Sequence, residues 1–317
     1  MLNWLTECDE GLPDEGGPLA VLSECKLRVG DAAEAGFDWL QDNLSGVFDA
    51  MSAALEVLIE AILAVLQSPP NTGWFQDLRR SEITYLYPEA WHPILITALF
   101  ALLAWWLHRN WRMPALIAVG LLFIINQDYW DETTESLTLV LAACVVCMGI
   151  GVPVGIAAAH RPRLYAWMRP VLDLMQTLPT FVYLIPAIVF FGIGMVPGLI
   201  ATVIFVLPAP IRLTHLGISS TPRALMEAAD AFGATPRQKL WKVEFPSALP
   251  QIMAGLNQTI MLSLSMVVIA ALVGASGLGV PVVRALNQVN TGLGFEAGLI
   301  IVVVAILLDR LLRVPSK

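Results

Sequence analysis

Between residues 180 and 211 the chain carries no charged side chain, and a stretch of that kind must be buried whole, in protein or in lipid. A helix rises about 1.5 Å per residue and a bilayer core is about 30 Å thick, so about 20 apolar residues cross it. The stretch is long enough for two crossings, and Gly192-Ile193-Gly194-Met195-Val196-Pro197 is the natural place for it to fold back. That division gives apolar segments at 180–193 and 196–213, and five more lie at 92–107, 113–126, 137–159, 249–273 and 294–308. The expectation is an all-α, polytopic membrane protein with about seven transmembrane helices, because only segments that satisfy their own backbone can sit in hydrocarbon. At 57% hydrophobic and 14% charged residues, the 317-residue chain has too little charge to cover the surface of a soluble domain.

The formal net charge is −8, but its distribution says more. Sixteen of the 26 acidic residues lie in residues 1–91, with only Lys26, Arg28, Arg79 and Arg80 against them. If the chain begins outside, seven crossings place 108–112, 160–179, 214–248 and the C-terminus in the cytoplasm. Those segments and their flanks hold Arg109, Arg112, Arg161, Arg163, Arg169, Arg212, Arg223, Arg237, Lys239, Lys242, Arg310, Arg313 and Lys317. Only Arg284 falls on the other side, while Asp128, Asp131, Glu132 and Glu135 lie there. This is the positive-inside bias, with Tyr129 and Trp130 as outer and Trp105, Trp106 and Trp111 as inner interfacial aromatics. A cytoplasmic tail, or a further crossing in the first 90 residues, is the alternative. No nucleic-acid partner is expected.

Met1 to Gly17 has no basic n-region and no adequate apolar stretch, so it does not read as a signal peptide. Residues 1–39 read as an acidic, loosely ordered, external tail. An external Cys8 and Cys25 could form a disulfide, though spacing alone does not pair them. Over 40–68, Leu44, Val47, Phe48, Met51, Leu55, Leu58, Ile59, Ile62 and Leu66 fall at helical spacing, with Asp49, Ser52, Glu56 and Glu60 opposite. Ser68-Pro69-Pro70 stops this amphipathic helix. Its acidic polar face argues against lying on anionic lipid and for packing on protein. Cys144-Val145-Val146-Cys147 sits in an apolar run and reads as helix packing. His92, His108, His160 and His215 are scattered at segment ends, with no pair at metal-ligand spacing.

One cytoplasmic stretch, residues 220–250, differs from the rest. Thr221-Pro222 and Thr235-Pro236 each read as an N-cap followed by proline at the first helical position. Gly233 is placed to end the first helix in a left-handed conformation. The result is helix, sharp turn, helix, a rigid elbow anchored between two crossings. Ala228 and Ala229 are small enough for a partner's backbone to approach. An ordinary amphipathic loop is the competing reading.

Glu227-Ala228-Ala229, three residues, Gly233, nine residues, then Val243-Glu244-Phe245-Pro246 closely resembles the EAA signature of ABC-importer permeases, E-A-A-x3-G-x9-I-x-L-P. Val243 and Phe245 depart from Ile and Leu, and both remain apolar. Leu172-Asp173-Leu174-Met175-Gln176-Thr177-Leu178-Pro179-Thr180-Phe181, Phe191-Gly192-Ile193-Gly194 and the segment from Ala254 to Ala270 resemble the glycine betaine/proline betaine branch of that family. The resemblance implies an ABC importer type I transmembrane domain over 135–313 with its coupling loop at 220–250, preceded by two N-terminal transmembrane helices within 88–134. It further implies a multi-pass protein of the bacterial inner membrane, with an external N-terminal tail and a cytoplasmic C-terminus, that translocates an osmoprotectant. Its expected partners are a separate ABC ATPase subunit, a second permease copy in a homodimer, an external solute-binding protein and membrane lipid. Coupling to the ATPase would fall to Glu227, Ala228, Ala229, Gly233 and Pro246.

No G-x-x-x-x-G-K-[ST] phosphate loop occurs in the chain. It is therefore expected to be no enzyme and to bind no cofactor or metal, with ATP and magnesium on the partner. Choline, carnitine or histidine are alternative cargoes. An ion-coupled secondary transporter is a rival, but proton relays need ionisable groups within the bilayer, and the segment centres hold none. Sodium sites built from carbonyls and hydroxyls stay open. For the solute path the candidates are Asn257, Gln258, Met261 and Ser265, polar or soft residues in an otherwise apolar helix. Thr259 and Ser263 are their polar neighbours, and interhelical hydrogen bonding is the competing role. A path without fixed charge would let a zwitterion slide through rather than hold it.

Overall fold

The computed structural model describes residues 6–8, 25–27, 29–67 and 91–312, in two compact units, 1–51 and 52–317. In the first unit, β1 (Thr6–Cys8) and β2 (Cys25–Leu27) pair antiparallel with Cys8 opposite Cys25 along the backbone. Helix α1 (Val29–Gln67) starts in this unit, ahead of the expected 40, because 31–38 holds three alanines and a glutamate, both strong helix formers. The expected stop at Ser68-Pro69-Pro70, and Arg79, Arg80, Arg313 and Lys317, lie outside the described residues.

In the second unit the end of α1 packs on protein. Leu55, Leu58, Ile59 and Ile62 lie against Ala142, Ala143, Val196 and Leu199. Gln67 Nε2 donates to Thr134 Oγ1 at 2.8 Å. The remaining elements follow as α2 (Trp91–His108), α3 (Arg112–Asn126), α4 (Trp130–His160), α5 (Pro162–Thr177), a 3-10 turn (Thr180–Tyr183) leading into α6 (Leu184–Phe191), α7 (Met195–Val206) and α8 (Pro208–Ser219). Then come α9 (Arg223–Ala231), α10 (Pro236–Lys239), a π turn (Leu240–Glu244), α11 (Phe245–Ala271), α12 (Gly279–Gln288) and α13 (Thr291–Leu312).

All seven apolar segments lie on helices, but the number long and apolar enough to cross a membrane is smaller. Among the described residues four qualify: α4, α7 with α8 over Met195–Ser219, α10 through α11 over Pro236–Ala271, and α13. A fifth is the pair Pro162–Thr177 and Thr180–Phe191, bent by 105°. The bend sits at Leu178-Pro179, where the proline ring forces Leu178 out of helical geometry to ψ 136°. The apolar helices His92–His108 and Arg112–Asn126 are shorter than a full crossing. The fold-back falls at the expected glycines: Gly192 at φ 73° and Gly194 at φ 143° turn the chain from α6 into α7.

The largest core gathers residues of α2, α3, α4, α11 and α13, with Ile124, Val140, Ala270 and Ile300 almost wholly buried. Beside it, α8 lies between α4 and α11. A Cβ added at Gly155 of α4 would meet Thr214 Cβ at 2.6 Å and the Ile211 carbonyl oxygen at 2.7 Å. On the other side Gly217 lies against Ala248. Without water to squeeze out, helices in lipid associate by this kind of close contact between small residues. The α4–α8 seam gives a test. Gly155→Val should lower the Tm of the detergent-solubilised protein, at a cost of about 1–3 kcal/mol for overpacking. Gly149→Ala, on the same helix with nothing within 4 Å of its would-be Cβ, should leave Tm unchanged.

Candidate functional site

The elbow at 220–250 is two short helical arms around Gly233. In α9 no residue is buried, so the arm is held by its ends rather than by packing. Its C-terminus is a complete Schellman cap: Ala234 N donates to Ala229 O at 3.0 Å and Gly233 N to Asp230 O at 2.9 Å, with Gly233 at φ 70°. At the start of the second arm Thr235 and Gln238 form a reciprocal capping box ahead of Pro236. The first Thr-Pro pair behaves differently. Helix α9 begins at Arg223 with Pro222 in the N-cap position, and Thr221 Oγ1 is buried without a partner. Across the turn, Lys239 Nζ donates to Asp230 Oδ1 at 2.7 Å, tying the arms together.

Between the arms lies an open groove of about 540 Å³ lined by Leu225, Ala228, Ala229, Phe232, Lys242, Val243, Pro246 and Ser247. Three expected coupling residues, Ala228, Ala229 and Pro246, therefore share one surface. Gly233 forms the hinge, and Glu227 is exposed on α9 outside the groove. The sequence reading missed Phe232, which is 90% exposed. An apolar residue beside the hinge glycine of an otherwise polar loop was the available signal. The second arm joins the membrane helix through the π turn. Pro246 has no N–H for a regular helical bond, and the ladder widens so that Phe245 N reaches Leu240 O. At the same junction the buried Glu244 Oε2 lies 2.9 Å from His160 Nε2 at the end of α4.

On α11 the candidate path residues separate. Gln258 and Ser265 are exposed and Met261 is half-buried, all on one face with Gln251, Ala254 and Leu272. Ser265 Oγ donates to its own helix at Met261 O, 3.1 Å, and among the described residues Gln258 bonds to no other helix. Asn257 points elsewhere: it is half-buried, with Oδ1 buried and unpartnered. Thr259 and Ser263 are buried on the packed side, Thr259 bonding to Gly255 O at 2.8 Å. Cys144 and Cys147 are buried free thiols in α4. Among the described residues no group of three His, Cys, Asp or Glu side chains could hold a metal ion. His108 Nε2 lies 3.0 Å from Leu311 O, and His215 stacks on Tyr165 at 3.7 Å between ring centroids.

The family model described as "Binding-protein-dependent transport system inner membrane component" matches residues 151–315, which include the bent pair, the elbow and α11. The glycine betaine transport system permease protein OpuAB of Bacillus subtilis is 43% identical over 286 residues, 90% of this chain and 93% of that protein. The glycine betaine/carnitine transport permease protein GbuB of Listeria monocytogenes is 50% identical over 71% of this chain and 81% of its own length. The glycine betaine/proline betaine transport system permease protein ProW of Escherichia coli is 41% identical over 99% of this chain and 82% of its own. Among solved structures, a chain of the inward-facing MetNI methionine ABC transporter superposes with a TM-score of 0.51 at 24% identity, over 58% of this chain and 94% of that one. The fold is thus that of a type I ABC-importer transmembrane domain. The chain belongs to the family of binding-protein-dependent transport system inner membrane components: it is a multi-pass permease subunit whose family works with a separate ATPase and a solute-binding protein, and it is not itself an enzyme.

Proposed function

We propose that this permease carries glycine betaine or proline betaine into the cell as one of two identical membrane subunits, with its C-terminus cytoplasmic and its N-terminal tail outside. The elbow is the handle by which an ATP-hydrolysing subunit, holding ATP and magnesium, drives alternating access. The observation that carries this reading is the elbow itself: two arms locked by a Schellman cap, a capping box and the Asp230–Lys239 ion pair, presenting an apolar groove and a bare Phe232. A rigid, doubly capped projection with an exposed aromatic transmits a push, where a flexible loop would absorb it.

The substrate reading is supported by the betaine named in all three relatives above. A quaternary ammonium is a diffuse cation that aromatic faces and neutral dipoles hold without a counter-charge. The exposed face of α11, with Gln258, Met261 and Ser265, offers neutral dipoles and a polarizable sulfur without fixed charge. The second copy would stand opposite this face across the path. The positive-inside distribution of the later basic residues supports the orientation.

Two variants and one assay test this. Gly233→Pro cannot adopt φ 70° and loses the Gly233 N–H bond. It should insert into the membrane normally and yet fail to co-purify the ATPase, whereas Gly233→Asn, which tolerates the left-handed region, should retain it. A Gly233→Pro complex as stable as wild type would remove the elbow from coupling. Gln258→Leu should lower uptake roughly three- to tenfold, the effect of a lost hydrogen bond, with assembly intact; unchanged uptake would take Gln258 off the path. In vesicles holding the complete importer, labelled glycine betaine should accumulate only with nucleotide. Accumulation by this chain alone on an ion gradient would overturn the proposal.

A further inference from the structure

We propose that a disulfide joins Cys8 to Cys25, the two residues that the strand register sets opposite one another, and closes the start of the chain into a covalent loop. This rests on the reading that the N-terminal tail lies outside the membrane, where cysteine pairs are oxidised.

The register places the two cysteines at one position of the ribbon. Strands β1 and β2 pair antiparallel as Thr6 with Leu27, Glu7 with Lys26 and Cys8 with Cys25. Directly opposite residues of an antiparallel pair share a face. Their Cα atoms stand about 4.5 or about 5.5 Å apart, according to whether the pair exchanges hydrogen bonds. A disulfide bridges Cα atoms about 4.4–6.8 Å apart, so either kind of pair admits one without moving the backbone. A slip of one residue would set Cys8 against Glu24 or Lys26 and leave it no cysteine to meet. The neighbouring position resists that slip. Glu7 stands opposite Lys26, and unlike charges at opposite positions favour the register that pairs them.

Three-residue strands are too short to hold this ribbon by themselves, since even a longer isolated hairpin is marginal in water. The strands are separated by residues 9–24, which include Gly11, Gly16 and Gly17. Closing a chain of that length costs conformational entropy, and glycines add to the cost. A covalent link offsets it by confining the unfolded chain. Strand β2 ends at Leu27 and α1 begins at Val29, so the bridge fastens the loop at the root of α1. Cys144 and Cys147 take no part, being buried free thiols of α4.

The bond forms by thiol–disulfide exchange with an external disulfide, carried by a protein or a small molecule. One cysteine thiolate attacks a sulfur of that acceptor and expels the acceptor's other sulfur as a thiolate. The second cysteine thiolate then attacks the mixed disulfide, makes the Cys8–Cys25 bond and expels the remaining acceptor sulfur. The pair gives up two electrons and two protons, and the acceptor takes them as two thiols.

The experiment acid-quenches membranes holding the full chain, then denatures and alkylates it without reductant and reads the digest by mass spectrometry. The Cys8 and Cys25 peptides should appear as one linked species that separates on reduction, while Cys144 and Cys147 are alkylated throughout. Two alkylated cysteines should thus become four after reductant. Cys8→Ser should abolish the linked species and leave Cys25 open to a membrane-impermeant maleimide added to spheroplasts. Alkylated Cys8 and Cys25 in the unreduced wild type, beside such labelling of the variant, would overturn the bridge and leave the tail outside. Labelling of the variant only after detergent would put the tail inside, and would remove the orientation and the bridge with it.

Discussion

Hydrocarbon offers no partner to a backbone N–H or C=O, and the rest of this molecule follows from that constraint. Helices satisfy their own backbones, but in lipid they gain little from burying apolar surface against each other and must associate by close contact. The seam of α4, α8 and α11 meets that requirement with small residues. Gly155 admits Thr214 and the Ile211 carbonyl, and Gly217 admits Ala248. Because α8 leads into the elbow and α11 leads out of it, this tightly packed trio is also the base on which the elbow stands.

The elbow obeys the opposite rule. It lies among charged and polar residues, buries nothing along α9, and gets its rigidity from termini. A Schellman cap, a capping box and an ion pair across the turn fix the angle between two arms too short to be stable alone. Rigidity made this way leaves the outer surface free, and Phe232 stands out from it. The junction with the membrane helix is weaker in its backbone, since the π turn before Pro246 lacks regular helical bonds. There the His160–Glu244 contact supplies what the backbone does not.

Much of the fold was legible because it depends on local chemistry. Apolar runs long enough to span, the glycines at 192 and 194, the hinge at Gly233 and the Thr235 cap each express a preference carried within a few residues. The misreadings were also local but involved competing rules. Pro179 was read as part of a motif rather than as a breaker, and the 105° bend it imposes was missed. Thr221 has the composition of an N-cap, yet the helix starts one residue later and its hydroxyl is left unpartnered.

By itself the sequence determined that this chain lives in a membrane, is helical there, and carries a glycine-hinged elbow of the permease type, because periodicity, turn chemistry and motif spacing are written in neighbouring residues. Only the tertiary structure decided which polar residues of α11 face outward, that Ala228, Ala229 and Pro246 line one groove, and that His160 meets Glu244 across 84 positions of sequence. Those outcomes depend on how helices rotate and cross. The angles are set by contacts between residues far apart in the chain, which no local pattern records.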